Sequence, residues 1–352
     1  MNRDAAHHHT FVPAFVRAGG IGLAAALACG DGSGSGPDPI AIPTPGPHFT
    51  HSPIPVESIA RITPIGYNNK VFPVDHTYWL TCDIDIILQG SRPCVHAFQP
   101  LVAPGSGMVR GISTAADGFL SVEGPPGMQW TFGHVTPAPG LAVGSPVVAG
   151  QVVATMFYDH GFDFGLFHNG VTHVFTDSVR YHHAYIHAQN PIAQFPDSLR
   201  TLMLARVNSL SDPLGRMSYD VAGTASGGWF IAGSPRSSVP LQFGNEHMLL
   251  WLARYVEREA TRIVSVGDMW PGMPNRLLAV DSAAPTWEAI TPASGVVALR
   301  LWNIGVDALP NTAWAGGTLL VHLMTPNSLR VEWFNTHAAV TAFTAAARTY
   351  ER

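Results

Sequence analysis

The chain has 352 residues, 46% of them hydrophobic and 12% charged, with 35 glycines, 29 prolines and a formal net charge of -5. That length exceeds a usual single domain, and few charges with many turn formers favour short strands over long surface helices. Lys+Arg total 19 with no basic run, which excludes nucleic acid as an expected partner.

The N-terminus reads as a targeting segment. Arg3 and Arg17 flank a polar start, and the apolar stretch from Ala18 to Ala28 follows. It is too short to span a bilayer as a helix and suits the core of a signal peptide. Cys29 comes directly after Leu27-Ala28. A small residue and then cysteine after such a core is a lipoprotein cleavage signal, so residues 1–28 are expected to be removed and Cys29 acylated. The chain is then exported and held to a membrane by lipid, in the periplasm or at the cell surface. Residues 29–55, rich in Gly, Ser and Pro, read as a disordered tether. There are three cysteines. With Cys29 lipidated, the remaining pair predicts a Cys82–Cys94 disulfide, as an oxidising compartment allows.

Residues 56–186 carry strand and turn signals. "VESIARITPIG" and "HTYWLTCDIDIIL" alternate, and "GFLSVEG" with "MQWTFGHV" predicts a hairpin around "GPPG". Residues 187–211 change character: Pro196-Asp197-Ser198 opens a helix expected to link two domains. Residues 212–335 read as a second, small β-barrel or sandwich. It holds Trp229, Trp251, Trp270, Trp287, Trp302, Trp314 and Trp333, and "GTLLVHLMTPNSLRVEWF" predicts a hairpin around "TPNS". Residues 336–352 are Ala-rich and predict a C-terminal helix capped by Asn335 or Thr336.

The stretches "PLVAPGSGMV" and "FGHVTPAPGLAVGSPVVAGQVVATM" resemble the lysostaphin/LytM-type zinc endopeptidases, peptidase family M twenty-three. The similarity covers Ile65 to Val174. The resemblance implies a mainly β fold, an antiparallel lysostaphin/LytM-like domain (duplicated hybrid motif), here joined to the second β domain, and it implies a zinc cofactor. His76 in "VDHTYW" fits the first zinc ligand. The carboxylate that the family places four residues on is Leu80 here. His134 in "FGHV" fits a catalytic histidine. Asp163 in "GFDFGL" falls at the second zinc-binding histidine, and Gly161 at the other catalytic one. Asp159 and His160 lie nearby in sequence, and Asp75 is expected to point to the opposite face from His76. The combination of "FPVDHTYW", "DFGLF", "VTHVFTDSVRY" and "AGTASGGWF" with the late "GTLLVHLM" and "LRVEWF" resembles a group of bacterial envelope proteins in which a degenerate domain of this type is joined to a C-terminal β domain.

A hydrolytic zinc usually has three protein ligands and a water. His76 and Asp163 supply two, and His134 recruited as a third cannot also act as base. The expected function is therefore a non-catalytic binding or scaffold lipoprotein of the cell envelope, with peptidoglycan, an envelope protein or a small ligand as partner. The alternative is a metal-dependent peptidoglycan endopeptidase, or another hydrolase, using His76, Asp163 and His134. A third possibility places function in an aromatic pocket of the second domain. His182, His183 and His187 in "RYHHAYIHAQNP" are a cluster of a type that binds metal, but one expected by chance among 17 histidines. His168 and His173 flank a turn. The loop "DIDIILQGSRP", clipped by the predicted disulfide, is expected to lie beside His76.

Overall fold

The computed structural model describes residues 48–67, 73–82, 98–115, 117–125, 127–209, 212–236, 248–273, 276–304 and 310–352. The signal segment, Cys29, Cys94 and the loop "DIDIILQGSRP" lie outside the described residues, and so does the Cys82–Cys94 pairing.

Nine strands build the first unit: β1 (Arg61–Ile62), β2 (His76–Leu80), β3 (Pro100–Val102), β4 (Gly107–Ser113), β5 (Gly118–Glu123), β6 (Met128–Pro137), β7 (Pro146–Val147), β8 (Val152–Met156) and β9 (Gly161–His168). They form one sheet in the order β1-β2-β9-β6-β5-β4-β7, with β8 pairing β6 and β3. Every pairing is antiparallel. Alternation decides which face is buried. On β6, Met128, Trp130 and Phe132 face inward; Trp79 of β2 and Phe162, Phe164 and Leu166 of β9 join them in the core. The opposite face carries His76, Tyr78, Asp163, Gly165 and Thr131, because His76 lies opposite Gly165, Tyr78 opposite Asp163, and Gly165 opposite Thr131. The alternating sequence thus makes an aromatic core below and a polar surface above.

The core reaches past the expected borders of this unit. Phe49 is 1% exposed and its ring lies 5.8 Å from that of Phe164 and 5.2 Å from that of Phe195. Ile54 is buried in the same cluster. The tether predicted through residue 55 therefore ends before Phe49, since burying such side chains outweighs the Pro-rich composition. Two helices follow the sheet, α1 (His183–His187) and α2 (Asp197–Leu204). The latter begins beside Pro196, as the sequence predicts, but Met203 and Leu199 pack into the sheet core, so α2 belongs to the first unit and does not bridge the two.

The second unit is a closed antiparallel barrel, β10 (Gly227–Ile231), β11 (Leu249–Tyr255), β12 (Arg258–Val266), β13 (Leu277–Val280), β14 (Val296–Ile304), β15 (Pro310–Thr325), β16 (Ser328–Phe334) and β17 (Arg348–Glu351). The β15–β16 hairpin turns at the predicted place, with Thr325 opposite Ser328. Trp229, Trp287, Leu250, Leu252, Val264 and Tyr350 fill its interior. Phe230, Leu249, Trp251, Ala253 and Ile263, the alternate residues of β10–β12, face outward and pack with Tyr67, Phe175, Tyr181 and Tyr185 of the first unit. Burial on both faces explains the continuous apolar run "LLWLA" from Leu249 to Ala253. Arg61 pairs with Glu257 across this contact.

The predicted C-terminal helix is absent. Residues 348–351 form β17 instead, pairing with β16 and β10 and so closing the barrel. Tyr350 is fully buried there. The Arg352 guanidinium donates to the carbonyls of Gly228, Val221 and Thr224 and lies 3.9 Å from the Trp229 ring centre. Alanine's helix propensity is a fraction of a kcal/mol per residue and loses to the burial of Tyr350 and two strand pairings. No helix of the described residues is long and apolar enough to cross a membrane.

Candidate functional site

The polar face of the sheet gathers its titratable groups where β6 changes partners. Over Met128–Gly133 the strand pairs β9; from Val135 it pairs β8. His134 stands at the fork. Against β5, Gly133 lies opposite Phe119 and Val135 opposite Gly118, so His134 is the extra residue of a bulge. Its φ of 58° is left-handed, a conformation costing a non-glycine residue about 1–3 kcal/mol and concentrated at functional sites. Strict alternation would send the His134 side chain into the core beside Phe132. The bulge instead turns it to the polar face, and Val135 resumes the buried phase.

There the three residues picked out by the sequence meet. Asp163 Oδ2 lies 3.2 Å from His76 Nε2 and 3.3 Å from His134 Nε2. Gly133 permits this approach: a Cβ on it would stand 3.2 Å from both Asp163 Cβ and Oδ2. Gly165 has the same role beneath His76, since its Cβ would lie 2.5 Å from Thr131 Oγ1.

Three further residues complete the array. His76 Nδ1 is 2.9 Å from Asp75 Oδ1, which corrects the expectation that Asp75 faces away. Asp75 precedes the first residue of β2, so strand alternation does not govern it. His134 Nδ1 is 2.5 Å from Asp117 Oδ1, and Tyr158 donates its hydroxyl to Asp117 Oδ2 at 3.1 Å. The Tyr158 ring lies 5.2 Å from that of His134. No local pattern singles out Asp117 or Tyr158. "DG" at Asp117-Gly118 is an ordinary hairpin-turn signal, and only the sheet order brings it beside His134. Asp159 and His160 pair with each other at 3.0 Å.

The charges are distinctive. An ionised carboxylate only accepts hydrogen bonds, and His76 faces one with each ring nitrogen. A neutral imidazole has a single N–H, so His76 satisfies both only as imidazolium. Burial by itself disfavours that charge. The opposing charge and bond of Asp163, together with Asp75, outweigh it and raise the His76 pKa to about 10. Burial, with Asp117 next in importance, raises Tyr158.

Three possible donors converge here: Asp163 Oδ2, His76 Nε2 and His134 Nε2. Leu80, a buried apolar residue, lies directly opposite Gly161 across β2 and β9, so the two positions where the family pattern puts a carboxylate and a histidine hold no donor. Among the described residues no group of three or more His, Cys, Asp or Glu side chains is arranged to hold a metal ion.

Three other histidines contact the backbone near α1. His182 Nδ1 accepts from Ala184 N and caps α1. His173 Nε2 and His187 Nδ1 each lie 2.7 Å from a carbonyl, of Ala188 and Val171. The barrel's aromatic pocket is not realised at Trp229 or Trp287, which are packed inside its core.

No family model matches the sequence, and no curated protein matches it. Solved structures of LytM/M23-type domains are similar to part of it. Helicobacter pylori Csd3 is 16% identical over 36% of this chain and 31% of its own, with a TM-score of 0.26. The catalytic domain of the prophage-encoded M23 protein EnpA from Enterococcus faecalis is 16% identical over 42% of this chain and 94% of its own, with a TM-score of 0.26. The catalytic domain of lysostaphin from Staphylococcus simulans is 17% identical over 38% and 86%, with a TM-score of 0.23. This chain thus spans about a third of the length of the Csd3 structure it matches. At these identities and TM-scores the likeness assigns no function.

Proposed function

We propose that the chain is an exported, lipid-anchored binding protein of a cell envelope whose histidine–carboxylate site does not hydrolyse its ligand. The observation that carries this reading is the Leu80–Gly161 pair. With no donor at either position, a zinc would need His76, Asp163 and His134 together as its three ligands, and His134 would then not be free to act as a separate base. The array then holds a protonated His76 between Asp75 and Asp163, with His134 and Asp117 beside it. The partner proposed is peptidoglycan or another envelope protein. Export and anchoring rest on the apolar segment before Cys29, and the expected Cys82–Cys94 bridge suits the same compartment.

One observation favours the hydrolase reading. The separations of 3.2 and 3.3 Å between Asp163 Oδ2 and the two Nε2 atoms match the edge of a tetrahedron with metal bonds of about 2.0–2.1 Å. Zinc content decides between the two. Protein purified without chelator or metal-affinity steps is assayed beside His76→Ala and then incubated with insoluble peptidoglycan. Substoichiometric zinc even after add-back, with sedimentation on the polymer and no release of soluble fragments, is the expected result. Near-stoichiometric zinc that disappears in the variant, together with digestion, overturns the binding reading.

A further inference from the structure

The histidine cluster beside α1 has a geometry that its capping and backbone contacts do not explain. His183 and His187 are the first and last residues of α1, four apart and so on one face of the helix. Their ring centres lie 4.3 Å apart with 44° between the planes. An imidazole ring centre stands roughly 3 Å from a metal bound at about 2.0–2.1 Å, so two cis ligands at a right angle place ring centres about 4.4 Å apart.

The tautomer of one ring is set. His187 Nδ1 faces the Val171 carbonyl at 2.7 Å, and a carbonyl only accepts. Nδ1 therefore carries the proton and Nε2 the lone pair, the arrangement in which a backbone carbonyl orients a metal-binding histidine. The helix is held from both sides: His173 N donates to the Ile186 carbonyl, and the His173 ring contacts the Ala188 carbonyl. His183 is exposed, which leaves the pair open to solvent.

We propose that His183 and His187 form a two-nitrogen chelating site for a divalent transition-metal ion of the copper–nickel class. Two cis imidazoles with the remaining positions left to water suit the tetragonal preference of Cu(II) and Ni(II) better than tetrahedral zinc, and the Irving–Williams order puts copper first. Among the described residues no third His, Cys, Asp or Glu completes a protein-only site. The site is independent of His76, Asp163 and His134.

The test is titration of the full chain with CuSO4, followed by calorimetry and by electron paramagnetic resonance, beside His183→Ala and His322→Ala, the latter on β15 and outside both histidine sites. His183 lies on the surface, and circular dichroism checks that its variant is folded. Other histidines are common to all three proteins, so differences isolate the site. The expected result is one tight copper equivalent fewer, or one weakened at least tenfold, in His183→Ala but not in His322→Ala, with a two-nitrogen axial spectrum lost in the former. Nickel binds the same equivalent more weakly than copper, and zinc more weakly still. Equal number and affinity of copper equivalents in wild type and His183→Ala overturn the proposal, as does zinc binding there more tightly than copper.

Discussion

His134 Nε2 reaches within 3.3 Å of Asp163 Oδ2 only because the His134 backbone is left-handed. A one-residue bulge at the fork of β6 lifts the imidazole out of the core phase and onto the polar face. Side-chain position and backbone strain are one feature here, and separating them gives a direct test.

Replacing His134 with glycine is expected to cost less stability than replacing it with alanine. Both lose the contacts to Asp117 and Asp163, but glycine tolerates φ of 58° where alanine pays about 1 kcal/mol. Urea denaturation of the two variants measures the difference. Equal midpoints would show that the bulge relaxes when the imidazole leaves.

The site has a signed pH dependence. The folded-state pKa of His76 is raised to about 10, above the ordinary value of about 6.5. Its contribution is therefore fully present below pH 6.5 and is lost as pH rises through about 10. Relative to His76→Gln, the wild type is expected to lose a few kcal/mol of stability over that range. Asp163→Asn is expected to lower the His76 pKa, read from imidazole proton shifts in a magnetic resonance titration. A pKa that stays put in that variant would show that Asp75 alone holds the proton.

Leu80→Asp places a carboxylate on the face of β2 that carries His76. Its zinc affinity is expected to rise at least tenfold over wild type, measured by competition with a chromophoric chelator. Without metal the variant is expected to be less stable by about 3 kcal/mol or more, since a buried leucine has become a charge. An unchanged affinity would mean that position 80 does not look toward Asp163.

Phe49 is a core residue at the end of a Pro-rich segment. Phe49→Ala is expected to cost about 3–5 kcal/mol, as aromatic truncations in cores do, visible as a lowered denaturation midpoint. A change under 1 kcal/mol would return residues 48–55 to the tether.

Much of this was readable from local pattern. Period-two alternation in "MQWTFGHV" and "FDFGLF" set which side chains enter the core, and the hairpins at "GPPG" and "TPNS" followed from turn chemistry. The resemblance picked out His76, His134 and Asp163, and the structure brings them together. What it could not supply depends on partners far along the chain. Asp117 and Tyr158 reach His134 only through the strand order β9-β6-β5 and the bulge between β5 and β6. Asp75 escapes the alternation rule because it stands one residue before the strand. At the C-terminus, "TAAARTYER" has helical propensity, and whether it coils or pairs is decided by the gap between β10 and β16 that Tyr350 fills. Propensity is a local term of tenths of a kcal/mol per residue, while closing a barrel buries an aromatic ring and satisfies two strand edges at once.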